Sequence, residues 1–262
     1  MLPGSSPLGF DLAVISFWMF LVFFAGLIWY LHRESKREGY PLAKDTQDRY
    51  NRYEIVGWPA PPPAKTYKQA HGADKVIDAN GNPDTRNHPL KALEPWPGAP
   101  LEPVGDPMLA GVGPGSWAER ADKPDILHSG KNRLEPLRVA KDFYVEGRDP
   151  NPVGMEVIGG DGKRAGVVKD IWIDRAEYVM RYMEVEVAVP GGFRNVLLPT
   201  NFTRIDGEKR QARVKAIFAK HFADVPGLKS PDQVTLLEED KIMGYYGGGT
   251  LYASPQRSEP LI

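Results

Sequence analysis

Residues 169–187 read KDIWIDRAEYVMRYMEVEV. Apolar and acidic side chains alternate along most of this stretch, as they do in a strand with one buried face. A strand over Arg181–Val189 puts Met183, Val185 and Val187 on one face and Tyr182, Glu184 and Glu186 on the other. Val167–Asp174 reads as a second strand. The alternation breaks after Asp174, so a turn there projects Glu177 away from the regular strand. Most acids of the stretch, Glu184 and Glu186 among them, are expected on a solvated strand face.

The pattern continues outward in both directions. VGMEVIG (153–159) is a short strand, and GGDGKRAG (159–166) carries Asp161-Gly162, a hairpin turn pair. Pro190-Gly191-Gly192 turns the chain again. Asn195–Leu198 and Arg213–Ile217 supply further strands, and Ala219–Ala223 a helical turn. TLLEEDKIMGYY (235–246) predicts a short helix with Thr235 at its cap and acids in its first turn, where the helix dipole favours them. Short strands with regular turn punctuation indicate a small β-barrel or sandwich.

Leu12–Leu31, LAVISFWMFLVFFAGLIWYL, carries no charge. At ~1.5 Å per residue a helix of this length covers ~30 Å, the hydrocarbon thickness of a bilayer. Its Leu, Ile, Val and Phe residues favour insertion by about 4–7 kcal/mol in all. A cleaved signal peptide would need a basic leader and a small-residue cleavage site. MLPGSSPLGFD precedes the span without Lys or Arg, and HRESKREG follows it. Arg33, Lys36 and Arg37 thus flank only the C-terminal end. The positive-inside rule then places the N-terminus outside and the remainder in the cytoplasm, with the basic cluster near lipid head groups.

The middle of the chain is rich in turn residues. GWPAPPPAKTY (57–67) reads as an extended, stiff strap. Residues 94–117, EPWPGAPLEPVGDPMLAGVGPGSW, show no period, yet Trp96, Leu101, Met108, Val112 and Trp117 argue for packing rather than disorder. GVGPGS lacks the Lys-Ser/Thr ending and the strand–loop–helix setting of a phosphate-binding loop. The whole chain holds 27 glycines and 25 prolines, about a fifth of its residues, so a folded but loop-rich protein is expected. A net charge of −1, from 33 basic and 34 acidic residues, argues against a nucleic-acid partner. The absence of cysteine excludes thiolate chemistry. Asp170 and Asp174, ~13 Å apart on one extended strand, are too distant for the ~5–9.5 Å that paired catalytic carboxylates need. His32, His71, His88 and His221 show no metal-ligand spacing.

FDLAVISFWMFLVFFAGLIWYL, REGYPL, DPMLAGVGPGSWAER, GKRAGVVKDIWIDRAEYVMRYMEVEV and LLEEDKIMGYYGGGTLYASP occur in this order. Together their order and spacing resemble the H subunit of the purple bacterial photosynthetic reaction centre, over nearly the whole chain and most weakly over about 43–90. The resemblance implies one membrane helix and a mainly-β cytoplasmic domain of the PRC-barrel type. The parts would be a periplasmic segment 1–11, the span 12–31, an irregular membrane-proximal segment 32–149 with some strands, the barrel 150–226, and a helix and tail 227–262. Such a chain is no enzyme and binds no cofactor itself. It caps the cytoplasmic face of the L and M subunits, which hold bacteriochlorophyll, bacteriopheophytin, quinones and a non-haem iron. An antenna ring would surround the span.

The resemblance also implies that its acids help conduct protons to the secondary quinone, in the bacterial photosynthetic membrane. Reduction to quinol takes up two protons, and a quinone shielded from water needs a relay of carboxyl groups, their pKa values raised by burial or like charge. The family's relay acid falls on Glu177, with Asp174 as its electrostatic neighbour and Arg181 as the counter-charge. The family's paired histidines at the uptake point are represented here by His128 alone. The competing expectation is a membrane-tethered adaptor with a PRC-type barrel and no link to photosynthesis.

Overall fold

The computed structural model describes residues 11–38, 40, 42–43, 54–55, 57–77, 86, 88–96 and 98–258. Of the expected N-terminal segment only Asp11 is described, and Gly39 and Pro41 of REGYPL lie outside the described residues, as does 259–262 of the tail. The chain divides into two compact units, residues 1–85 with 95–99, and residues 86–94 with 100–262.

In the first unit, helix α1 spans Leu12–Glu34, one turn longer than the uncharged run, and buries none of its residues. Asp11 caps it by accepting the Ala13 N–H at 2.9 Å. The helix is long and apolar enough to cross a membrane. A short 3-10 turn, Ser35–Arg37, ends it. Lys36, 3% exposed, donates to the Pro59 carbonyl at 2.7 Å, and Arg37 donates to that of Pro63 at 3.0 Å. Prolines leave their strap without N–H donors, so two cations of the flanking cluster bind its carbonyls. The strands β1 (Leu42–Ala43) and β2 (Glu54–Ile55) pair antiparallel, as do β3 (Lys65–Tyr67) and β4 (Lys75–Ile77).

The second unit begins with a two-stranded ladder, β5 (Leu90–Ala92) and β6 (Leu101–Pro103). Its main sheet holds β7 (Leu134–Pro136), β8 (Glu156–Ile158), β9 (Arg164–Asp174), β10 (Val179–Val189), β11 (Gly192–Pro199), β12 (Thr203–Asp206) and β13 (Gln211–Val214). The order is β11-β10-β9-β8-β13-β12, with β7 also on β9. All pairs are antiparallel except β8 with β13. Irregularities in the β9–β10 register bend the long hairpin. Trp172, Met183, Leu198, Ile217, Phe222, Ile242 and Tyr246 fill the core.

Both faces of the hairpin are covered around Tyr182 and Glu184, which corrects the expectation of a solvated acid face there, while Glu186 stays partly exposed. Tyr182 and Glu184 are only 4% and 6% exposed. The second face is closed partly by Leu137, Ala140, Phe143 and Val145, which pack on Ile171 and Ile173. Glu184 is buried with its oxygens fully engaged. It accepts from the Trp172 indole N–H at 2.9 Å, the Asn195 amide at 2.7 Å and the Arg138 guanidinium at 2.6 Å. Arg138 also binds Asp170, Asp232 and the Pro231 carbonyl.

Helix α2 runs from Leu236 to Tyr252 and so continues past Tyr246 through three consecutive glycines. Thr235 and Glu238 form its capping box, each side chain accepting from the other's backbone N–H. Gly247 and Gly248 persist in the helix because the 3-10 turn Gly113–Gly115 lies directly on them, and Gly249 because Ala216 and Ile217 do. A Cβ at Gly247 would sit 2.7 Å from the Pro114 carbonyl oxygen, and one at Gly244 2.9 Å from that of Ser116. Gly113 itself has φ +58 and turns the chain onto the helix. In an open helix Gly→Ala stabilises by about 1 kcal/mol. Here Gly247→Ala is expected to destabilise by about 1–3 kcal/mol through overpacking, read as the urea midpoint of the full chain in detergent. A rise in the midpoint would contradict this packing.

Candidate functional site

The turn between β9 and β10 is built by its first residue. Asp174 Oδ1 accepts the backbone N–H groups of Ala176 at 2.8 Å and Glu177 at 3.1 Å. Its carbonyl accepts that of Tyr178 at 2.8 Å, and Tyr178 closes the turn with φ 58. Aspartate suits this place because its short carboxylate reaches the backbone two and three residues on. Glu177 is carried outward at the tip, with its side chain 51% exposed.

Two arginines bridge the pair. Arg133, the residue just before β7, donates to Asp174 Oδ2 at 2.9 Å and to Glu177 Oε1 at 2.6 Å. Arg181 on β10 reaches Asp174 Oδ2 at 3.2 Å and Glu177 Oε2 at 2.7 Å. Asp125 adds a further acid at 3.4 Å from Arg133. Three carboxylates thus share two guanidinium groups. Burial works to raise the Asp174 carboxyl, 1% exposed. The hydrogen bonds from Arg133 and the Glu177 and Ala176 N–H groups outweigh it and hold the group below the usual aspartate range. Asp174 is therefore a fixed negative charge at neutral pH.

Beside this cluster lies a cavity of about 370 Å³, lined among others by Asp125, Arg133, Asp174, Arg181, Tyr182 and Glu239. At ~30 Å³ per molecule it has room for roughly ten waters. Glu239, on the first turn of α2, accepts the Tyr182 hydroxyl at 2.9 Å. Burial raises the Glu239 carboxyl above its usual range against the lowering effect of that hydrogen bond and of Arg120. Burial also raises the Tyr182 phenol, which remains a protonated donor.

His128 lies apart. It is exposed at the tip of a turn in which Gly130 N–H donates to the Leu127 carbonyl at 2.8 Å, and it does not line the cavity. The arms of the same loop are joined at its base, where Arg133 N–H donates to the Asp125 carbonyl at 2.9 Å. Among the described residues no group of three or more His, Asp or Glu is arranged to hold a metal.

Residues 7–139 match the family described as the photosynthetic reaction centre, H-chain N-terminal region. The chain belongs to the reaction-centre H-chain family. Residues 145–220 match the PRC-barrel domain family, which covers β8 to β13 and assigns the bent sheet to that fold. As an H chain the protein is a structural subunit of the photosynthetic reaction centre, and the cofactors of that complex lie on other subunits. The expectation of an adaptor unrelated to photosynthesis falls with this match.

Within the H chain, the structure brings together Asp174, Glu177 and Arg181 but leaves His128 outside their ion pairs. Sequence reading missed Arg133, Asp125, Tyr182 and Glu239 at the site. Glu239 had a faint signal, since it and Glu238 are adjacent on a helix and point in directions ~100° apart. Only Glu238 serves the cap.

The opposite shifts of the two acids have opposite consequences for stability. Asp174, depressed in the fold, stabilises it above the unfolded aspartate pKa of ~3.9 and loses that contribution as pH falls. Glu239, raised in the fold, contributes most below the unfolded glutamate pKa of ~4.3 and loses it as pH rises through the folded value. Glu239→Gln keeps an acceptor for Tyr182 and removes the titration. Its stability should equal that of the parent near pH ~4 and exceed it increasingly toward pH ~8. Urea unfolding of both chains across this range is the measurement, and parallel curves would show that Glu239 is not buried as described.

Proposed function

We propose that this H chain caps the cytoplasmic face of the L and M subunits and passes protons from the cytoplasm toward the secondary quinone. The span α1 holds it in the membrane with its N-terminus on the periplasmic side. The observation that supports the reading is the cluster at the β9–β10 turn. There the half-exposed Glu177 shares Arg133 and Arg181 with the buried Asp174, beside a cavity large enough for water and lined by Glu239.

Each group has a distinct part. Asp174 stays ionised, fixes the turn and keeps the local potential negative. Glu177 is the relay carboxyl, half-exposed at the tip of the turn. Arg133 and Arg181 each hydrogen-bond one of its oxygens and hold it at the turn. Glu239, whose carboxyl burial raises toward neutrality, extends the chain of acids to the far wall of the cavity. His128, exposed on the adjoining loop, is the proton-uptake group.

The test is flash-induced kinetics of assembled reaction centres carrying Glu177→Gln. The second, proton-coupled reduction of the secondary quinone is compared with the first. Orientation is read separately, by protease access to the C-terminal unit in sealed membrane vesicles of known sidedness.

A further inference from the structure

A second concavity adjoins the first, with Asn201 lining both. It is an open groove of about 1250 Å³ between the β12–β13 hairpin and the Gly159–Gly162 turn. Its floor is apolar, with Ile158 and Phe202, and its walls carry Arg204, Lys209, Arg213 and Lys215. Among the described residues none of these four cations has a carboxylate partner. On β9 and β10, by contrast, Arg164 faces Glu156, Lys169 faces Glu186 and Arg181 faces Asp174.

The register sharpens the point. Arg204 and Arg213 are direct cross-strand partners in the antiparallel β12–β13 pair. Directly opposed residues on one face have Cβ atoms ~4.5–5.5 Å apart, and like charges there are destabilising. Lys215, just past the end of β13, lines the same groove. A fifth cation, Arg257, adds its charge to the groove while its own donors are occupied by the carbonyls of Ala216, Gly249 and Lys215. The two acids in the lining do not neutralise this set. Asp206 is spent on the Lys209 backbone N–H at 3.0 Å, and Glu208 lies in the exposed turn. Cations guard many edge strands against aggregation, but a guard does not require two arginines face to face over an apolar floor.

We infer that this groove is a binding site for a phosphate ester carried on an organic group, its oxyanion held between Arg204, Arg213 and Lys215. An oxyanion placed there converts the like-charge pair into a fork of guanidinium donors, the geometry suited to phosphate. Ile158 and Phe202 receive the organic part. The phosphate comes either from a soluble nucleotide-like ligand or from an anionic lipid headgroup, two sources with the same recognition chemistry. The site uses none of the residues assigned to the proton relay.

The experiment uses the full chain in detergent, titrated calorimetrically with pyrophosphate at constant ionic strength set by chloride. Saturable binding is expected, weakened about tenfold or more, one lost charge-assisted contact being worth that much, in Arg204→Gln and in Lys215→Gln. Lys141→Gln, an exposed lysine outside the groove, should bind as the parent does. A second readout guards against misfolding. Without pyrophosphate, Arg204→Gln should melt at a higher temperature than the parent, because the like-charge pair is gone. With pyrophosphate, the parent's melting temperature should rise and the variant's should not. Absence of saturable binding, or equal binding by Arg204→Gln and the parent, overturns the site and leaves an edge guard. Competition by ADP assigns the soluble source. Loss of pyrophosphate binding in phosphatidylglycerol nanodiscs, but not in phosphatidylcholine ones, assigns the lipid.

Discussion

Replacing Glu177 by glutamine is expected to slow the second, proton-coupled reduction of the secondary quinone by about tenfold or more, leaving the first reduction at its parent rate. A positioned proton-transfer group typically contributes about 10²–10⁴-fold. The neighbouring acids Asp125 and Glu239, which line the adjoining cavity, allow the loss to fall below that range. Glutamine retains an oxygen for Arg133 or Arg181, so the turn should hold its shape while losing a site that can carry a proton. Glu186→Gln is the matched control, an acid of the same hairpin paired with Lys169 at 2.9 Å and remote from the cavity lining. Parent-like kinetics in Glu177→Gln would remove Glu177 from the path and leave the family membership untouched.

The second large effect concerns the core. Trp172 has no exposed surface and is among the largest fully buried side chains. Trp172→Ala should cost about 3–5 kcal/mol, the usual range for deleting a buried aromatic and leaving a cavity. The loss has a polar component, because the indole N–H is one of three donors to the buried Glu184. Trp172→Phe isolates it: most of the volume stays and the donor goes, at about 1–3 kcal/mol. Urea midpoints of the two variants measure both parts, and a cost below ~1 kcal/mol for the alanine variant would contradict the packing.

Local pattern carried much of this. An uncharged run of helical length marked α1, and period-two alternation marked β9 and β10. The break after Asp174 pointed to Glu177, and the turn is there. Periodicity reports which residues share a face, however, and not what covers that face. Glu184 therefore read as solvated, although Arg138, 46 positions earlier, comes to lie over it. Arg133 was illegible for the same reason, since it meets Asp174 across 41 positions. The glycines after Tyr246 read as a helix stop because their partner, the turn at Gly113–Gly115, is remote in sequence. His128 came from a family correspondence, and the structure puts it on the adjoining loop rather than in the ion-paired cluster.

That glycine seam also bears on the order in which the protein comes together during synthesis. The turn at Gly113–Gly115 rests on a helix that spans Leu236–Tyr252, more than a hundred residues later in the chain. Contacts of such separation form late, after the cost of closing the intervening loop has been met. The ribosome must finish residues 236–252 before the GVGPGS segment has a surface to settle on, whereas α1 is made and available to the membrane long before. The second unit is therefore completed only by its own helix α2, long after α1 has been made.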